Sequence, residues 1–160
     1  MMTHIDIQHA CNDKPPVTDA VMRYWATRAI ETQTGSAEIT LRFVNLDEIT
    51  QLNHLYRKQN KATNVLAFPS DIPDYITENC PFLGDVIICP AVLHDESIAL
   101  NKPLIAHWAL IVIHGILHLL GYDHIEDHDA SIMQALEVKL LAELGFDNPY
   151  PTEDYDIEQR

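Results

Sequence analysis

Three histidines stand at 114, 118 and 124 in the stretch HGILHLLGYDH, with a glycine at 121. Residues four apart on a helix lie nearly one above the other, separated by about 6 Å along the axis. His114 and His118 therefore project from one helical face and can share a metal ion. A third ligand further up the same helix would be out of reach, so the chain has to turn back. Gly121 is suited to that turn, because glycine adopts the left-handed conformation that ends helices. His124 then returns from the following loop. Zinc takes imidazole nitrogens at about 2.0–2.1 Å in a tetrahedral array, and three protein ligands leave a fourth position open, as in catalytic sites. Nickel and copper also accept such a set.

A lone histidine is most often a core or surface residue, and a pair four apart arises by chance in a chain with nine histidines. A third one following a helix-stopping glycine favours a metal. His4, His9, His54, His94, His107 and His128 are assigned to structure or surface. Zinc proteases with the H-E-x-x-H motif carry a glutamate immediately after the first histidine, where it takes the proton from water. Gly115 occupies that position here. Peptide hydrolysis by that route lacks its base, whereas a negatively charged substrate gains from the missing carboxylate. Phosphodiesters are such substrates, and they need cationic stabilisation of their non-bridging oxygens.

That requirement directs attention to YRKQNKATNVLAFP, residues 56–69. Arg57 offers a bidentate fork for a phosphate, and Lys58 and Lys61 offer point charges. Any one of these bases alone reads more simply as a solvated helix end. Their clustering stands out because the chain has only ten Lys and Arg against 24 Asp and Glu, for a net charge of −14. That balance speaks against broad nucleic-acid binding, though not against a narrow basic groove. Asp85 and Asp123 are candidate proton acceptors only by nearness to these motifs in sequence. Asp123 is read preferentially as orienting a neighbouring histidine or capping the helix end.

The elements that must position these residues follow from hydrophobic periodicity. HIDIQ alternates and reads as a strand. Thr18 or Asp19 caps a helix whose apolar stripe is Val21, Met22, Trp25 and Ala29, ended by Gly35. Residues 37–45 form a strand with Ile39, Leu41 and Phe43 on one face. A short helix follows with Leu46, Ile49, Leu52 and Leu55 facing inward, and the basic cluster lies at its end. Residues 64–69 read as a buried strand, 70–82 as a proline-rich loop, and 84–90 as a strand stopped by Pro90. Helices are expected over about 91–100, 103–120 and 126–144. The segment from Asn148, with Pro149, Pro151 and several acids, reads as a poorly ordered tail.

Four strands with interspersed helices indicate a single α/β or α+β domain over 1–160, with 148–160 as a mobile acidic tail. No run of about 18 apolar residues is present, so no membrane span is expected. The N-terminus has no secretory pattern. Cys11, Cys80 and Cys89 form no C-x-x-C pair, which suits a reducing cytoplasm.

These segments resemble the YbeY family of bacterial metal-dependent endoribonucleases. HGILHLLGYDH is similar to its H-G-x-L-H-L-x-G-Y-D-H signature, YRKQNKATNVLAFP to its Y-R-x-x-x-x-x-T-N-V-L-S-F-P segment, and LGDVIIC to its strand carrying G-D-I. The last helix carries the family's Met and Glu as Met133 and Glu137, before Leu-Gly. The resemblance spans roughly 37–150. It implies an α/β fold with a small mixed four-stranded sheet packed with helices, and a metal site on a helix of the C-terminal half and its following loop. It implies one zinc held by His114, His118 and His124, and carries the family's functional arginine onto Arg57. The implied activity is hydrolytic cleavage of single-stranded RNA, acting on the 3′ end of 16S (small-subunit) ribosomal RNA and in ribosome quality control. A ribosomal protein or a ribosome-associated GTPase is the implied partner. Ala67 stands where the family commonly has Ser, and Leu110 where a further histidine is expected. Rival readings are another metallohydrolase, a non-catalytic zinc-stabilised ribosome-assembly factor, and a structural zinc site for which Cys89 is the remaining candidate as fourth ligand.

Overall fold

A computed structural model of the chain describes residues 2–72, 80–123 and 126–150. Four strands form one mixed sheet, β1 (His4–Ala10), β2 (Glu38–Val44), β3 (Val65–Pro69) and β4 (Phe82–Ile88), in the order β1-β2-β4-β3. β1–β2 and β2–β4 are parallel, and β3–β4 is antiparallel. Parallel neighbours need a long crossover. α1 (Asp19–Gln33) supplies the first, between β1 and β2. The second, from β2 to β4, runs through α2 (Leu46–Arg57) and β3. The small mixed four-stranded sheet that the resemblance implies is therefore present, and β3 is its antiparallel edge strand, with Val65 and Leu66 buried as expected and Pro69 exposed.

Strand alternation sorts the side chains onto two faces. Ile39, Leu41, Phe43, Val65, Val86 and Ile88 belong to the main core, beneath α1, α4 (Leu104–Leu119) and α5 (Asp127–Glu143). Val44, Leu66 and Ile87 face the other way and pack with Ile49 of α2 and with Cys89. Cys89 immediately precedes α3 (Pro90–Ala99), and Pro90 opens that helix as well as stopping β4. Thr18 Oγ1 accepts from Val21 N–H at 3.3 Å and caps α1.

Two expected stripes are displaced. On α1 the buried set is Met22, Trp25, Ala26, Ala29 and Ile30, with Val21 exposed. On α2 only Ile49 and Asn53 are buried, while Leu46 and Leu55 point outward. α2 covers the smaller apolar cluster, so a narrow seam is all it buries. Asn53 sits inside that seam because its side-chain N–H donates to the Lys61 carbonyl at 2.9 Å, tying down the loop after the helix. α4 is apolar nearly all round, as expected of a helix with packing neighbours on several sides. It lies against β3, β4, α1, α3 and α5.

Asn148–Tyr150 do not hang free as a tail. Lys102 Nζ donates to the Pro149 carbonyl at 2.8 Å, and the Tyr150 hydroxyl donates to Glu137. The remainder of the expected tail, 151–160, lies outside the described residues.

Candidate metal and phosphate site

α4 brings His114 and His118 to one wall of an open cavity of about 770 Å³. Their rings meet edge to face, with centroids 4.6 Å apart and Nε2 atoms 3.1 Å apart. The helix ends as the glycine spacing implies. Leu119 is the last helical residue and Leu120 the C-cap, Gly121 has φ +102°, and the amides of Gly121 and Tyr122 donate back to the carbonyls of His118 and Leu117 at 3.1 and 3.0 Å. This paired closure is the Schellman arrangement. It sends the chain back along the cavity through Tyr122 and Asp123, both of which line it. The Tyr122 hydroxyl donates to Gln33 of α1 at 3.2 Å, anchoring the turn. His124, the third expected ligand, lies outside the described residues.

Gly115 answers its own question of fit. It faces the sheet, and a Cβ at this position would lie 2.6 Å from Val86 Cγ1 and 3.3 Å from Val65 Cγ2. Carbon atoms prefer about 3.5–4.0 Å. The glutamate of the protease motif therefore has no room here: α4 packs too closely on β3 and β4.

The His114 ring is fixed from behind. Its Nδ1 lies 2.5 Å from Glu137 Oε2. Glu137 comes from α5, is 1% exposed, and accepts the Tyr150 hydroxyl on its other oxygen. A buried carboxylate is costly unless both oxygens are bonded, and here both are. Because the carboxylate accepts, Nδ1 carries the proton, and the Nε2 lone pair is turned toward His118. Burial, reinforced by the hydrogen bond and charge of Glu137, pushes the Tyr150 hydroxyl well above its ordinary value, so it remains a donor.

A metal fits this pair. Two ligands at about 2.0–2.1 Å in tetrahedral array are separated by about 3.3 Å, close to the 3.1 Å between the two Nε2 atoms. A histidine backed by a carboxylate is the usual form of an imidazole ligand. Among the described residues, no group of three His, Cys, Asp or Glu is assembled for a metal. Cys89 is buried in the cluster beneath α2, on the opposite face of the sheet from α4.

Arg57 lines the same cavity from the last turn of α2. Asn45 starts that helix, its Oδ1 accepting from Glu48 N–H at 2.9 Å, and Lys58 ends it in the left-handed conformation at φ 61°. The basic cluster divides here. Lys58 and Lys61 do not line the cavity, and Lys58 Nζ donates to the Leu55 carbonyl at 3.3 Å. The histidines and Arg57 come from opposite faces of the sheet and meet because β3 is its edge. Val65 and Ala67 face α4, Leu66 and Phe68 face α2, and all four line the cavity.

The two candidate acids separate as well. Asp123 carries the only carboxylate among the described residues lining the histidine cavity. Asp85 instead lines an adjoining hollow with Arg42 and Glu48. Leu110 is 8% exposed and borders a different, apolar cavity with Leu141 and Phe146, so that departure from the family pattern leaves the histidine pair intact. The role of Glu137 is the one the sequence reading missed. The signal was present: Met133, Glu137, Leu140 and Leu141 follow the helical period of a buried stripe, and an acid on such a stripe implies a partner.

The family model for "Endoribonuclease YbeY" matches residues 8–145. An "Endoribonuclease YbeY" of Legionella pneumophila (strain Corby) is 55% identical over 158 residues, covering 99% of this chain and all of the relative. One of Pseudomonas putida (strain F1) is 48% identical over 155 residues, covering 97% and 98%. The solution structure of TM1509 from Thermotoga maritima superposes with a TM-score of 0.56 at 25% identity, covering 86% of this chain and 91% of that one. Matching motifs, fold and near full-length similarity lead to one conclusion: the chain belongs to the endoribonuclease YbeY family.

Proposed function

We propose that this protein is a zinc-dependent endoribonuclease of single-stranded RNA, working in the cytoplasm as one domain over 1–160. Its substrate is the 3′ region of 16S ribosomal RNA, in maturation and quality control, with a ribosomal protein or a ribosome-associated GTPase as partner. The observation that carries this reading is the meeting of the His114–His118 pair and Arg57 in one cavity. Family membership supplies the reaction class. Among the described residues, no helix is long and apolar enough to cross a membrane.

His114 and His118 would hold the ion together with His124, whose place in the set rests on sequence spacing. When bound, zinc supplies Lewis acidity and lowers the pKa of a water to about 7. Arg57 grips the non-bridging oxygens of the scissile phosphate and offsets the charge that develops on them. Glu137 keeps the proton on His114 Nδ1 and so keeps Nε2 available as a ligand. With glycine at 115, Asp123 is the one carboxylate among the described residues lining the cavity that a phosphate would meet.

The test is cleavage of a labelled single-stranded RNA by purified protein beside Arg57→Ala and His114→Ala, with metal content measured on each. Wild-type cleavage absent from both variants, with zinc lost only from His114→Ala, supports the reading. Equal trace cleavage in all three would overturn it.

A further inference from the structure

The ring next to Arg57 is oddly placed for a structural residue. Tyr56 is 60% exposed on the last turn of α2, although its neighbours on the buried seam keep Ile49 fully covered. It is not a loose side chain, because its ring lies 4.8 Å from that of Phe68 on β3, tilted by 56°. That contact holds the tyrosine from one side, and the residue is still 60% exposed. Tyr56 also lines two spaces: the cavity that contains Arg57 and the histidines, and the adjoining hollow bordered by Arg42, Glu48 and Asp85. A chain whose phosphate sits at Arg57 thus has an aromatic ring one residue away in sequence, on the border shared by the cavity and the hollow.

An exposed aromatic ring beside a phosphate-binding arginine is suited to an unpaired nucleobase. Every base has a π face, so stacking tolerates sequence while still requiring the base to be free of a duplex. The Phe68 contact pre-orients the ring, which lowers the ordering cost of binding. The adjoining hollow gives the splayed base somewhere to lie. The chain's overall negative charge adds weight to the argument: with few cations available to bind backbone, affinity for RNA has to come partly from uncharged contacts.

We infer that Tyr56 stacks on an unpaired base adjacent to the phosphate held at Arg57 and is the residue that makes the site select single strands. This rests on the ribonuclease reading and names the feature of the substrate the site recognises. Tyr56 is a specificity residue and takes no part in bond cleavage.

The experiment measures kcat and KM on a short labelled single-stranded RNA for wild type, Tyr56→Phe, Tyr56→Leu and Tyr56→Ala, with metal content and melting temperature as controls. The same RNA is then assayed with an abasic nucleotide at each position flanking the cleaved bond. Loss of one stack is expected to raise KM by about 5- to 100-fold in the Ala and Leu variants, with kcat nearly unchanged and Phe close to wild type. One abasic position should weaken wild type and have no further effect on Tyr56→Ala. Independently of cleavage, Tyr56→Trp supplies an exposed indole beside the buried Trp25 and Trp108, and its emission should be quenched by the single strand and not by the matching duplex. Leu equal to Phe, additive abasic and Ala effects, or equal quenching by duplex would each overturn the inference while leaving the ribonuclease reading intact. Wild-type cleavage no greater than that of Arg57→Ala and His114→Ala would remove both.

Discussion

Replacing Gly115 by alanine pits two effects of opposite sign against each other. In a helix interior, alanine is favoured over glycine by about 1 kcal/mol, so propensity alone predicts a more stable protein. The packing predicts the reverse. The added methyl would stand 2.6 Å from Val86 Cγ1, with Val65 Cγ2 at 3.3 Å and Val86 Cγ2 at 3.4 Å. Val86 is fully buried on β4, an internal strand, and a β-branched side chain has little rotameric freedom with which to yield. Overpacking of this kind costs about 1–3 kcal/mol, and the stiff neighbour places this case toward the upper end. The net expectation is destabilisation by about 1–2 kcal/mol. For a chain of this size that lowers the melting temperature by about 2–8 °C. Calorimetry or thermal circular dichroism on metal-free protein provides the assay. A double-mutant cycle with Val86→Ala sharpens it, because removing the two methyls vacates the space and the pair should couple by about 1–2 kcal/mol. An unchanged or higher melting temperature for Gly115→Ala would refute the close-approach account. Gly115→Glu, which restores the protease motif in sequence, should unfold the protein and create no peptidase.

Two further outcomes follow from the Glu137 relay. On the proposed zinc site, Glu137→Gln should weaken zinc affinity by about 10- to 100-fold in a chelator competition, since His114 loses a charged acceptor at Nδ1; unchanged affinity would remove Glu137 from the site. Tyr150 has a raised pKa in the folded state, so its contribution to stability is fully present below the unfolded value of about 10 and is lost as pH rises above it. Urea midpoints measured across about pH 9 to 11 should therefore fall more steeply for wild type than for Tyr150→Phe. Parallel slopes would contradict the buried donor role.

Much of this molecule is legible in one dimension because its signals are local. Strand alternation at Ile39, Leu41 and Phe43, the Thr18 cap and the Gly121 stop each depend on residues a few positions apart, and each has its expected role. Periodicity turns Val21, Leu46 and Leu55 inward on α1 and α2, yet all three are exposed, because a periodic apolar pattern does not reveal how wide a surface the neighbouring element presents. That β3 is an edge strand is hidden from the sequence for a related reason. Its apolar composition is that of a strand covered on both faces, and whether it also has a neighbour on each edge depends on sheet order, which is non-local.

The sequence by itself determined the chemistry on offer: histidines spaced to converge around a helix end, an arginine at the end of another helix, and the family to which those motifs belong. Only the tertiary structure decided which groups meet. Arg57 reaches the histidine cavity because β3 is an edge around which both faces of the sheet are accessible, while Lys58 and Lys61, adjacent in sequence, do not line it. Asp85 is consigned to the neighbouring hollow, and Glu137 is brought from 23 residues away to hold His114. Gly115, which in sequence reads as a missing base, proves to be the place where α4 touches the sheet. Spacing along a chain specifies what a single helix turn presents; which turn faces which is settled by packing, where the available volume leaves room for one arrangement.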